Sequence, residues 1–133
     1  MSAAGSELPG DGRNLASTTS VVVRFENTVA AIVPGMPPVA ATPYLVEIAE
    51  TACSDLVLGL VEPGQITVGR RVVIDHLGAS KVGANLLIHA ELLEQKEGRY
   101  EFSVRIEDGD RVVARIEHRR VAVSLQRLLS SLQ

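Results

Sequence analysis

The stretch ATPYLVEIAETACSDLVLGLVEPG, residues 41–64, decides the fold. It has no proline between Pro43 and Leu60, and Leu45, Ile48, Ala49, Ala52 and Leu56 recur at helical spacing, so it predicts one long amphipathic helix over that span. Thr42 stands at the N-cap position, Pro43 at the first helical position, and Pro63-Gly64 closes the segment. On a wheel of about 100° per residue, Leu45, Ala49, Ala52 and Leu56 mark the centre of the apolar arc. Glu50 falls at its edge beside Val46, Cys53 and Val57, whereas Glu47, Thr51 and Asp55 project from the opposite, solvated side.

On either side of this helix the pattern changes. Upstream, Ser20 to Phe25 carries the run Val21-Val22-Val23 and reads as a strand, and Val33-Pro34-Gly35-Met36-Pro37-Pro38 is a loop. Residues 1–18 are rich in Gly, Ser, Ala and Asn and read as a flexible tail, leaving 19–133 as the folded domain. Downstream the period becomes two. Val72, Ile74 and His76 share one face, and Tyr100, Phe102, Val104 and Ile106 alternate with polar residues. Glu97-Gly98 and Asp108-Gly109 punctuate an antiparallel meander of Ala84–Gln95, Arg99–Glu107 and Arg111–Ser124, followed by a helical turn over Leu125–Leu132. One long helix and about five strands can bury their apolar faces only if the sheet wraps the helix. That is the α+β hot-dog fold.

Composition narrows the function. The 133 residues fit one domain, and 46% hydrophobic with 22% charged residues is the balance of a globular chain. A net charge of -3, with two Tyr, two Phe and no Trp, argues against nucleic acid as a partner. The single cysteine, Cys53, reads as a small core residue, and no Cys/His spacing suggests a metal. The N-terminus lacks the basic and apolar regions of a secretory signal, and apolar runs break well before the roughly 18 residues of a membrane span. The cytoplasm is the expected location.

Two side chains invite chemistry. Glu50, bordering a buried arc, is either a rim glutamate that reaches water or a desolvated carboxylate usable as base or nucleophile. His76 points toward the layer covered by the helix, either as a core histidine bonded to a carbonyl or as a proton carrier near neutral pH. His89 and His118 lie on other strands without paired ligand spacing, and no GxSxG, P-loop or Rossmann fingerprint occurs.

Between residues 20 and 124 the chain resembles the fluoroacetyl-CoA thioesterase family of hot-dog proteins. The resemblance rests on Ala41-Thr42-Pro43 opening the helix, Glu50 followed by Ala52-Cys53, Glu62-Pro63-Gly64, Gly69, a strand ending in His76, and His118-x-Arg120. It implies catalytic roles for Thr42, Glu50 and His76, with Thr42 bonded to the carboxylate. It also implies substrate contacts for Gly69 and Arg120, and for Met36 in the loop where the family's founding enzyme carries lid phenylalanines. The implied activity is hydrolysis of an acyl-CoA or acyl-carrier thioester, without metal or organic cofactor; one helix wrapped by a single sheet leaves an open edge, so an isologous homodimer is expected. The alternatives are a non-catalytic acyl-binding hot-dog module and a hydratase, the latter calling for a closely spaced Asp and His at a helix start that this chain lacks.

Overall fold

The computed structural model describes residues 15–133. In chain order the elements are β1 (Ala16–Val22), a 3-10 turn (Phe25–Asn27), α1 (Val29–Ile32), α2 (Thr42–Leu56) and a second 3-10 turn (Leu58–Leu60). They continue with β2 (Gln65–His76), β3 (Asn85–Lys96), β4 (Arg99–Asp108), β5 (Arg111–Ser124) and α3 (Leu125–Ser131). The strands form one antiparallel sheet in the order β1-β3-β4-β5-β2, and α2 touches every strand. This is the hot-dog arrangement that the element order implies.

Alternation builds the core. Leu86, Ile88, Ala90 and Leu92 of β3, Tyr100, Phe102, Val104 and Ile106 of β4, and Ala114 and Ile116 of β5 are all buried. Against them lie Leu45, Ile48, Ala49, Ala52 and Cys53 of α2. Each fully buried Leu or Ile in this layer contributes about 1.5–3 kcal/mol of transfer free energy, and Ala49 and Ala52 let the helix backbone come close to the sheet. The β3–β4 hairpin turns on Glu97 (φ 54°) and Gly98 (φ 78°), two successive left-handed residues that match the twist of the strands they join. The inward row of β5 then departs from apolar composition: after Ala114 and Ile116 come His118 and Arg120, both buried.

Several boundaries differ from the sequence reading. The first strand begins at Ala16 and ends at Val22, so residues 16–18, read as tail, belong to the sheet, pairing with Ala90, Glu91 and His89 of β3. The β-branched Thr18 and Thr19 suit an edge strand as well as the valines do. Val23 leaves the ladder and is buried, its N–H donating to the Ala84 carbonyl. The remainder of the expected tail, residues 1–14, lies outside the described residues. The long helix stops at Leu56 because Val57, fully buried, adopts φ -104°, ψ 8°, and the chain reaches Leu60 as a 3-10 turn. A short helical turn, α1, sits where no element was expected. Among the described residues no helix is long and apolar enough to cross a membrane.

Candidate active site

The start of α2 supplies the first half of the site. Ala41 is the N-cap and Thr42 the first helical residue, which corrects the expected capping role: Thr42 makes no side-chain cap bond. Its Oγ1 instead shares a 2.7 Å hydrogen bond with Nδ1 of His76, the last residue of β2. Both residues are exposed, so the bond orients the imidazole while the ring remains accessible. Pro43 brings no N–H, and the Tyr44 and Leu45 N–H groups turn back to the Ala41 carbonyl, so the helix terminus has fewer free donors than an ordinary first turn.

The second half lies eight residues along the same helix, about 12 Å away along its axis. Glu50 Oε2 stands 3.6 Å from Arg120 Nη1 and 3.7 Å from His118 Nε2. Its side chain is 39% exposed, whereas that of His118 is fully buried. His118 Nδ1 donates to the Arg71 carbonyl at 2.9 Å, leaving a lone pair on Nε2 that accepts from Arg120 Nη1 at 3.2 Å. Arg120 is fixed further by Thr67, donating from Nε to Oγ1 and from Nη2 to the carbonyl, both at 2.9 Å. Burial, aided by the Arg120 cation, pushes the His118 pKa down against the opposing pull of the Arg71 carbonyl and Glu50, so this imidazole is neutral at pH 7. Its ring stacks on Phe102.

A β-bulge places the floor of this cluster. The β2–β5 register passes from Gly69↔Arg120 to Arg71↔Arg119, and the extra residue, Arg70, restores Gly69 to the face that carries Val72 and Ile74. A Cβ on Gly69 would overlap Glu50 Oε2. Only glycine leaves the carboxylate its place. Cys53, one turn beyond, is buried and its thiol pKa is pushed up to about 12 chiefly by desolvation, so it is not a thiolate.

The structure therefore brings together Thr42 with His76, and Glu50 with Gly69 and Arg120; within one chain the Thr42 hydroxyl meets His76 and not the carboxylate. Met36 belongs to neither group. It sits 46% exposed in the loop after α1, beside the left-handed Gly35 (φ 87°) and near the exposed Ile32 and Val33. His118 and Thr67 are the residues that sequence reasoning left without a role at Glu50. The available signal was the alternation Ile116, His118, Arg120, which puts two polar groups on an inward row with one carboxylate on the facing helix edge.

Comparison with known proteins places the chain in a family. A curated relative, the fluoroacetyl-CoA thioesterase of Streptantibioticus cattleyicolor, is 28% identical over 91 residues, covering 68% of this chain; the chain spans 66% of that relative's length. A crystal structure of a phenylalanine-to-alanine mutant of a fluoroacetyl-CoA-specific thioesterase in complex with fluoroacetate and CoA superposes with a TM-score of 0.79 at 26% identity, covering 85% of this chain and 95% of that one. A hot-dog-like protein from Thermanaerovibrio acidaminovorans shares the fold, with a TM-score of 0.81 at 18% identity over 88% of this chain and 87% of the other. The family model described as fluoroacetyl-CoA-specific thioesterase matches residues 23–126, and by that match the chain belongs to this thioesterase family.

Proposed function

We propose that this protein hydrolyses an acyl-CoA thioester, with Glu50, His76 and Thr42 as its reacting groups. The observation that carries the proposal is the state of Glu50: a carboxylate held within ion-pair range of Arg120 yet partly open, over a glycine at which any side chain would displace it. Such a group can attack a thioester carbonyl, expelling the thiolate and forming a mixed anhydride that water then cleaves. It can equally take a proton from water, whose hydroxide attacks the carbonyl directly. In either route His76, steadied by Thr42, supplies the proton to the departing sulfur. Both routes yield free acid and thiol and balance without another reactant.

The separation of about 12 Å between the two halves points to assembly from two copies. Strand β2 is a sheet edge with an exposed Val73, and it carries both His76 and Gly69. An isologous antiparallel pairing of β2 with its counterpart joins the two sheets, hides both edges and brings the His76 end of one copy toward Glu50 of the partner subunit. Thr42 and His76 then come from one chain and the carboxylate from the other.

A thiol-release assay across acetyl, fluoroacetyl, branched, aromatic and long-chain CoA esters tests the proposal. Wild-type turnover of at least one ester, lost in Glu50→Gln, is the expected result. Binding without thiol release from any ester would leave an acyl-binding module.

A further inference from the structure

We propose that His118 is a positioning residue whose task is to keep the Arg120 guanidinium from closing on Glu50, so that the carboxylate oxygens stay free to react. The inference rests on the hydrolase reading above. Three distances define the arrangement: Arg120 Nη1 to His118 Nε2 is 3.2 Å, a hydrogen bond, while Glu50 Oε2 is 3.6 Å from Nη1 and 3.7 Å from Nε2, both beyond hydrogen-bond range. The other two nitrogens of Arg120 are held by Thr67. Nη1 carries two hydrogens, and the bond that one of them makes to His118 pins the nitrogen 3.6 Å from Glu50 Oε2, short of a hydrogen bond.

His118 suits this task because its acceptor is fixed. The Arg71 carbonyl takes the Nδ1 proton, which leaves Nε2 as a lone pair facing Arg120, and Phe102 stacks on the ring. Burial keeps the imidazole uncharged. The titratable groups around the carboxylate are His118 and Arg120 from β5 and Cys53 from its own helix, while β2 faces the cluster with Thr67 and Gly69. Without the Nε2 acceptor, Arg120 needs to shift by less than 1 Å to make a charge-assisted bond of about 2.8 Å to Glu50. Direct pairing with an arginine lowers a carboxylate's pKa by about 1–3 units and weakens it as base and nucleophile in proportion.

The test compares His118→Phe, which keeps a ring against Phe102 but no acceptor, with His118→Gln, which restores an acceptor oxygen. The assay uses the CoA ester that wild type hydrolyses fastest. For His118→Phe, kcat falls by about tenfold or more with KM within about twofold, and the acidic limb of the kcat profile moves down by about one pH unit. His118→Gln recovers most of the rate. If His118→Phe does not fold, His118→Asn takes its place, since it keeps the donor to the Arg71 carbonyl but lacks the Nε2 acceptor. A folded variant without the acceptor that retains wild-type kcat and an unmoved acidic limb overturns the inference, while Glu50→Gln remaining inactive beside it leaves the hydrolase reading standing. A wild-type chain that releases no thiol overturns both.

Discussion

Glu50 Oε2 lies 3.6 Å from Arg120 Nη1 without a hydrogen bond to it, so its oxygens remain available. In the mechanism proposed above, replacing this carboxylate by an amide of equal size removes the chemistry and little else. Glu50→Gln is expected to lose roughly a hundredfold or more in thiol release, with a Tm close to wild type, and His76→Ala to lose a comparable factor through the missing proton donor. Calorimetry beside the thiol assay separates this from unfolding. His118 gives a second prediction, on stability. Its folded pKa is depressed, so as pH falls below about 6.5 the unfolded imidazole takes a proton that the folded one refuses, and stability declines. The decline of Tm between pH 7 and pH 5 should therefore be shallower in His118→Phe than in wild type; equal slopes would remove His118 from the account of acid sensitivity. Sequence patterning alone placed Glu50 and His76 at a common layer, because helix wheel and strand alternation are local. It left their roles open and missed the link from Glu50 to His118, which depends on how strand β5 lies beneath one edge of the helix.

Elements position these groups through two devices, the close approach of α2 and the bulge in β2. The bulge at Arg70 turns Gly69 inward, directly beneath the carboxylate. Gly69→Ala is expected to keep the fold and to displace Glu50, costing about a hundredfold in kcat, the scale of a misplacement of about 1 Å. Unchanged kcat would mean that Glu50 acts from a position its neighbours do not fix. The meander and the helix were legible because period and turn residues agree: Glu97-Gly98 between alternating strands, and alanines on the buried face of a proline-free segment. The first strand was only half legible, since its serines and threonines carry no apolar alternation and its course is set by pairing with β3. The bulge was invisible to any local pattern. It becomes apparent only when the register against β5 is known.

At the scale of the molecule, the proposed function makes two predictions, one about what the site accepts and one about how it is completed. The loop Val33-Pro34-Gly35-Met36-Pro37-Pro38 contains no aromatic residue. Without an aromatic lid, apolar contacts separate acetyl from fluoroacetyl esters by only about 1–3 kcal/mol, so the ratio of kcat/KM for the two should stay within about two hundredfold. A preference of many thousandfold would require a device this loop does not provide. The central proposal is that Thr42 and His76 act from one chain on a substrate that meets Glu50 of the partner subunit. The direct measurement is thiol release by a mixture of Glu50→Gln and His76→Ala subunits after exchange, each variant being nearly inactive alone. Random reassortment makes about half the dimers mixed, each with one intact site of two, so the mixture should recover about a quarter of wild-type activity. Recovery of none, from a mixture shown to contain hybrid dimers, would contradict the shared site and place all three groups within one chain.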